Sequence, residues 1–266
     1  MRHSLALFLL FALTACTIFP SPSDEKSAAN AQPAKEIYAE AMEQMDDGNY
    51  EKAIKTFESL QSRYPYGRYA QQAQLEIAYA YYKQKEPESA IAAADRFIKQ
   101  YPNNAHVDYA YYLKGLINFN EDLGLLGGVS KQDLSERDPN AARDAFGAFK
   151  ELVTRFPDSK YAPDSRLRMQ YLVNALARYE IHVANYYLRR GAYVAAANRA
   201  KGVLTDYPQT PAMFDALQIM VKAYDAMGMK DLRDDAQRVL DKNKGAAIPV
   251  ASQSPQDEKP WWKIWK

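Results

Sequence analysis

Four prolines divide the middle of this 266-residue chain into segments that resemble one another. An aromatic residue precedes each proline, an apolar residue lies five positions before it, and an alanine lies twelve positions before it. The prolines are Pro65, Pro102, Pro157 and Pro208, and the alanines are Ala53, Ala90, Ala145 and Ala196. Apolar residues at this spacing predict an amphipathic helix in each segment, with alanine where a neighbouring helix approaches closely. Because proline ends a helix and restricts the residue before it, each helix should end before the aromatic residue.

A second helical pattern follows each proline, so the chain alternates helix, turn and helix. An alanine at a fixed position and a proline at the end of such a unit are typical of tetratricopeptide repeats, or TPRs. A further helix from Ala34 to Met45 opens the first repeat, and a shorter unit follows Gly228. The sequence therefore predicts an all-α TPR solenoid of about five helix-turn-helix repeats, with a flexible N-terminal tether and a C-terminal tail.

The distances between the prolines indicate two insertions. They are 37, 55 and 51 residues, of which only the first is close to a plain repeat. The first insertion is a glycine-rich loop at residues 118–140. The second lengthens a helix from about Asp164 to Arg190, which would span roughly 40 Å. We therefore expect repeats 1–2 at residues 34–117 and repeats 3–5 at residues 141–243.

Residues 1–15 have the pattern of a bacterial export signal. A basic start precedes an apolar run that suits a secretory signal and is too short for a spanning helix. The sequence Leu-Thr-Ala-Cys that ends at Cys16 resembles the lipobox, where the thiol receives diacylglycerol and the new amino group is acylated. We expect Cys16 to be the first mature residue, S-diacylglyceryl and N-palmitoyl, with a flexible tether at residues 16–33. Thr17 in place of aspartate favours the outer membrane. The alternative is an ordinary signal beside an incidental cysteine.

Composition argues against several functional classes. One cysteine permits no internal disulfide framework, and 34 basic against 33 acidic residues provide no broad positive field for nucleic acid. His106 and His182 lack metal-binding spacing, and we expect His182 to be a partly buried structural residue. No nucleophile elbow, P-loop or zinc-protease motif occurs, and the carboxylates are spaced as on solvated helix faces. The sequence thus predicts no catalytic residue, no metal, no cofactor and no nucleic-acid partner.

TPR solenoids bind peptides or proteins on extended concave faces. Tyrosines crowd the first half of this chain, and some must be core because neighbours such as Tyr81 and Tyr82 face different ways. Others could line a groove for an extended peptide, with rings against its side chains and hydroxyls against its backbone. Arg63 and Arg68 flank the sequence Tyr-Pro-Tyr-Gly, where each would either meet a carboxylate or face solvent.

Several longer stretches resemble one known family. Besides the lipobox, they are EIYAEAMEQMDDGNYEKAIKTFESLQSRYPYGRYAQQAQLEIAYAYYK, ERDPNAARDAF and ALARYEIHVANYYLRRGAYVAAANRAKGVLTDYP. Across roughly residues 34–243 the chain resembles the BamD (ComL) family of TPR lipoproteins, which belong to the β-barrel assembly machinery of Gram-negative outer membranes. The resemblance implies a non-enzymatic periplasmic scaffold that is anchored to the outer membrane by acylated Cys16. It implies as partners the POTRA region of BamA, other Bam lipoproteins, and the C-terminal β-signal of unfolded outer-membrane proteins.

The resemblance also implies which residues make these contacts. At the substrate-binding end they are Tyr64, Pro65, Gly67, Tyr69 and Gln72, to which we add Arg68 as the candidate for a carboxylate contact. At the BamA-binding end they are Tyr186, Tyr187, Asn198 and Arg199. Two of these have structural alternatives: Tyr64 is also a helix-ending aromatic residue, and Arg199 could be a solvated arginine on a repeat helix.

Residues 244–266 depart from the pattern of the family. A linker leads to Trp261, Trp262 and Trp265, which alternate with lysines at the end of the chain. These tryptophans could lie at a lipid interface, where indoles favour the headgroup depth. They could instead dock on a partner or on the repeats, or belong to a disordered tail.

An alternative function stays open for a TPR lipoprotein of this kind. Such a protein could coordinate peptidoglycan synthesis or envelope division through protein–protein contacts. The stretch ERDPNAARDAF and the long helix argue against this alternative, because a generic TPR protein would not share them.

Overall fold

The computed structural model describes residues 33–123 and 139–245. Within these ranges the secondary structure consists of ten α-helices and no strand, which confirms the predicted all-α class. The helices are α1 (Ala34–Asp46), α2 (Tyr50–Arg63), α3 (Arg68–Gln84), α4 (Pro87–Gln100), α5 (Val107–Leu123), α6 (Asn140–Arg155), α7 (Ala162–Arg189), α8 (Tyr193–Asp206), α9 (Ala212–Ala226) and α10 (Lys230–Asn243). The predicted export signal, Cys16, most of the tether and the tryptophan-rich tail lie outside the described residues.

The aromatic-proline pairs end four helices as the sequence predicts. Each of α2, α4, α6 and α8 ends one residue before the aromatic residue, whose φ of about −130° leaves the helical region. The N–H of that residue still donates to the carbonyl four positions earlier, as from Tyr64 to Leu60 at 2.8 Å. The proline that follows has no N–H to continue the ladder, so the chain turns toward the next helix.

Successive helices pack as a solenoid of five helix pairs. The pairs run from α1 with α2 to α9 with α10, and the second helix of each pair also packs against the first helix of the next pair where one follows. Contacts of α1 with α3, α3 with α5, and α7 with α9 connect alternate helices. All four repeat alanines are fully buried, at 0% exposure. Their small side chains let neighbouring helices approach closely, which confirms the TPR-type packing.

Helix α7 is the long helix that the proline spacing predicts. It contains 28 residues, which corresponds to about 42 Å. It packs against α6, α8 and α9 and therefore connects three repeats of the C-terminal half. None of the described helices, α7 included, combines the length and the apolar character that crossing a membrane requires.

The inserted loop begins later than predicted. Helix α5 continues to Leu123, so the expected start of the loop at residue 118 is wrong. Phe119 explains the difference, because its buried ring lies 6.3 Å from that of Phe149 and 5.8 Å from that of Tyr171. These contacts with α6 and α7 stabilise a further turn of helix that the glycine-rich local sequence does not indicate.

Candidate functional site

The turn between α2 and α3 holds three of the predicted substrate-binding residues. Tyr64 is half-buried and packs against the core, whereas Pro65 and Gly67 are exposed. Gly67 has a φ of +102°, a conformation that other residues adopt only with strain. Tyr66, which the sequence patterns did not single out, is 91% exposed. This turn therefore presents an aromatic ring to solvent directly before α3.

A groove of about 220 Å³ lies beside the first two turns of α3. Its lining consists of Arg68, Gln71, Gln72, Leu75, Phe97, Asn104, Ala105 and His106. Leu75 and Phe97 are buried and form an apolar floor. The Nδ2 of Asn104 donates to the Oε1 of Gln71 at 2.8 Å, which connects the turn before α5 to α3. The groove thus combines an apolar floor with amide groups able to bond a peptide backbone.

Arg68 gives this groove a positive charge. Its Nη2 donates to the hydroxyl of Tyr69 at 2.8 Å, and its Cζ lies 4.7 Å from the centroid of that ring. Tyr69 in turn packs against Tyr38 of α1, with ring centroids 5.5 Å apart. Among the described residues no carboxylate pairs with Arg68. The guanidinium is therefore held in place by an aromatic ring while its charge is available to a ligand.

His106 also lines this groove. Burial lowers the pKa of His106, and the nearby Asp108 only partly opposes this effect. The side chain is therefore neutral at pH 7. The positive charge of the groove at that pH comes from Arg68.

The groove includes two of the six residues predicted for the substrate-binding end. Arg68 and Gln72 line it, and Tyr69 contacts Arg68, whereas the other three residues lie in the preceding turn. Gln71 and Leu75 were missed, although their spacing from Arg68 on one helix face could have indicated them. The residues from the turn after α4 had no local signal, because only the packing of the next repeat brings them to α3.

A buried carboxyl group lies on α3 and faces α1. Glu76 is 0% exposed, and its Oε1 accepts a hydrogen bond from the hydroxyl of Tyr38 at 3.2 Å. Burial raises the pKa of Glu76 to about 8; the Tyr38 hydrogen bond opposes this effect and Asp46 adds to it. The expectation that the carboxylates lie on solvated faces is therefore wrong for Glu76. At pH 7 its uncharged form connects α1 to α3.

The residues predicted for the BamA-binding end lie on α7 and α8. Tyr186 is 48% exposed, and its ring centroid lies 5.8 Å from that of the half-buried Tyr187. Asn198 and Arg199 are exposed on α8. The structure thus provides an exposed ring, an amide and a guanidinium on two helices that pack together.

Arg199 is not simply solvated, because it forms an ion pair across these helices. Its Nη1 donates to the Oε2 of Glu180 at 3.0 Å, and the Nη2 of Arg143 lies 3.9 Å from Oε1 of the same carboxylate. Glu180 therefore connects α6, α7 and α8 through one side chain. The sequence patterns missed Glu180 and Arg143, which are far from Arg199 along the chain and meet it only through helix packing.

Two further expectations concern histidine and metal. His182 is exposed on α7, so its predicted partial burial is wrong. Within residues 33–123 and 139–245, no three His, Cys, Asp or Glu side chains are grouped so that they could hold a metal ion.

Comparison with known proteins gives a consistent assignment. The YfiO family, described as an outer membrane lipoprotein, matches residues 30–239. The chain is 42% identical to the outer membrane protein assembly factor BamD of Neisseria meningitidis serogroup A over 261 residues, or 98% of both chains. It is 41% identical to BamD of Xylella fastidiosa strain Temecula1, over 90% of this chain and 80% of the relative. It is 35% identical to BamD of Pasteurella multocida, over 93% of each chain. The chain therefore belongs to the BamD family of outer membrane lipoproteins.

Proposed function

We propose that this chain is a non-enzymatic scaffold that assists the assembly of β-barrel proteins at the outer membrane. Its relatives are named outer membrane protein assembly factors, which supports this role. In this proposal Cys16 carries the diacylglyceryl and palmitoyl groups, and the solenoid faces the periplasm. The scaffold brings together unfolded substrates at its N-terminal repeats and BamA, with other Bam lipoproteins, at its C-terminal repeats.

The groove beside α3 supports a peptide ligand of specific chemistry. Its apolar floor suits the side chains of an extended segment, and the amides of Gln71, Gln72 and Asn104 suit its backbone. Arg68 is a cation without a carboxylate partner among the described residues, so it suits a terminal carboxylate. A segment with apolar side chains and a free C-terminus is what the C-terminal β-signal of an outer-membrane protein presents. This groove is the observation that carries the substrate part of the proposal.

Arg68→Ala is expected to weaken binding of a peptide that matches such a C-terminal strand. A charge-assisted hydrogen bond contributes about 1.5–3 kcal/mol, so the dissociation constant should rise at least about tenfold. Fluorescence anisotropy with a labelled peptide measures this change. Arg63→Ala, at an exposed arginine that does not line the groove, is the matched control and should bind normally.

An amidated peptide separates a carboxylate contact from general attraction. The parent protein should bind the amidated form about tenfold more weakly, whereas Arg68→Ala should bind both forms alike. Equal binding of both forms by the parent protein would contradict the role of Arg68. Unchanged binding of the acid form by Arg68→Ala would contradict the groove itself.

The C-terminal repeats supply a second surface, for BamA. Tyrosine and arginine are enriched among the residues that dominate interface energies, and Tyr186 and Arg199 are exposed on adjoining helices. Glu180 holds the guanidinium of Arg199 in one position, which lowers the entropy lost when a partner carboxylate binds.

Arg199→Glu is expected to abolish co-purification of BamA with this protein from detergent-solubilised membranes. The substitution reverses the charge at the proposed contact and leaves two carboxylates facing each other on α7 and α8. Arg189→Glu, at an exposed arginine near the end of α7, is the matched charge reversal and should retain BamA. Arg199→Gln removes the charge without the repulsion and should reduce recovery of BamA while preserving thermal stability.

The same purification tests the alternative function. Recovery of a peptidoglycan synthase in place of BamA would overturn the proposed role. It would favour a lipoprotein that coordinates cell-wall synthesis.

A further inference from the structure

The C-terminal helix leaves three large apolar side chains exposed. Met229, Leu232 and Val239 are 46%, 45% and 45% exposed, respectively. Met229 directly precedes α10, and Leu232 and Val239 lie seven positions apart, so all three lie along one side of this helix. We refer to these three residues as the α10 stripe.

The position of the α10 stripe makes it unusual. The last repeat of a solenoid normally has a polar outer side, because no further repeat packs on it. Helix α10 packs against α9, and its buried residues are Ala236 and Leu240. The stripe is therefore apolar surface in addition to the contact that α10 already makes. Apolar residues grouped at the free end of a solenoid form a surface on which another segment or a partner can pack.

We propose that the C-terminal segment of the same chain, residues 261–266, docks on the α10 stripe. This segment contains Trp261, Trp262, Ile264 and Trp265, the densest group of large apolar residues after α10. Covering the stripe with these side chains would remove apolar surface from water on both sides of the contact.

The length of the intervening chain permits this contact. Helix α10 ends at Asn243, and 17 residues separate it from Trp261. An extended linker of this length reaches about 55 Å, whereas Met229, the far end of the stripe, lies only about 21 Å back along α10 from Asn243. A flexible linker of 17 residues has an r.m.s. end-to-end distance of about 23 Å, which matches this distance and keeps the segment at an effective concentration near the millimolar range. At this effective concentration, even a contact with a dissociation constant somewhat below the millimolar range would be largely formed between the segment and the stripe.

The charges near the stripe also match those of the segment. Asp235 lies between Leu232 and Val239 on the same side of α10, where its exposed side chain pairs with Arg238. Lys263 and Lys266 alternate with the tryptophans. Docking would place a lysine ammonium beside the Asp235 carboxylate while the indoles cover the apolar side chains.

Tryptophan fluorescence tests this contact directly, because all three tryptophans of the chain lie in the segment. The chain from residue 17 to 266, which contains all ten described helices, is measured without detergent. We expect its emission to be blue-shifted relative to the free hexapeptide Trp-Trp-Lys-Ile-Trp-Lys, at every protein concentration. The double substitution Leu232→Ser and Val239→Ser should return the emission to that of the peptide. Val194→Ser, at a valine that is 62% exposed on α8, should not.

Circular dichroism verifies that the variants fold, and Asp235→Lys provides a second test that leaves the stripe intact. We expect Asp235→Lys to reverse part of the blue shift by repelling the two lysines.

Two outcomes overturn the proposal. One is that the parent chain emits at the same wavelength as the free peptide, and the other is that the stripe substitutions leave the blue shift unchanged. A shift that grows with protein concentration assigns the stripe to a second copy instead. A shift seen only with phosphatidylglycerol-containing vesicles assigns the segment to the lipid surface.

Discussion

The parent protein is expected to lose stability as the pH rises from about 4.5 to 8, and Glu76→Gln is expected to remove this loss. In the folded protein burial raises the pKa of Glu76 from its ordinary 4.5 to about 8, so the folded state keeps this proton over the whole interval. The unfolded chain releases the proton near pH 4.5, so rising pH favours unfolding. The expected change is on the order of 5 kcal/mol, at about 1.4 kcal/mol for each pKa unit. Above pH 8 both states are ionised, and this group causes no further change.

Urea denaturation at a series of pH values measures this effect. For the parent protein the free energy of unfolding should fall as pH rises toward 8, and for Glu76→Gln the same curve should be flatter. The slope is the informative quantity, because the amide nitrogen of glutamine would replace Oε2, which has no hydrogen-bond partner among the described residues. Glu58→Gln makes the same chemical change at an exposed position of α2 and should leave the slope unchanged. Parallel curves for the parent and Glu76→Gln would contradict a protonated buried Glu76.

Gly115→Ala is expected to destabilise the protein by about 2 kcal/mol, although alanine is the better helix former. A Cβ at this position of α5 would lie 2.3 Å from the Cε1 atom of Phe149 and 2.5 Å from its Cδ1 atom. Phe149 is fully buried, and the rings of Tyr112 and Phe119 lie 6.0 and 6.3 Å from it. Overpacking such a core costs about 1–3 kcal/mol, and separating two closely packed helices costs more. That cost exceeds the gain in helix propensity of about 1 kcal/mol.

Gly202→Ala provides the matched control for Gly115→Ala. Gly202 lies inside α8 with open space where a Cβ would be placed, so its replacement should stabilise the protein by about 0.5–1 kcal/mol. The midpoint of urea denaturation should therefore move in opposite directions for the two variants. Adding Phe149→Leu to Gly115→Ala should recover part of the loss by making room for the new methyl group. A midpoint for Gly115→Ala at or above that of the parent would show that α5 and α6 can separate freely.

The helices and their ends were predictable because the physical rules behind them are local. Apolar periodicity, a buried alanine and an aromatic-proline end recur in four segments. Each of these signals affects only the backbone within a few residues of its own position. The residues of the groove were only partly predictable for the same reason. Arg68 and Gln72 share one helix with a clear period, whereas Asn104 and His106 approach α3 from the turn after α4.

The all-α class, the repeat pattern and the length of α7 follow from the sequence alone, because each depends only on the spacing of residues along the chain. Which charges are buried or paired, and how far α5 extends, depend on contacts between helices that are distant in sequence. In the sequence Glu76 resembles an ordinary surface carboxylate, but in the structure α1 covers it. Arg199 likewise resembles a solvated cation, but in the structure it pairs with Glu180 of α7. Burial and ion pairing depend on which helices become neighbours, and the packing of the whole solenoid determines these neighbours.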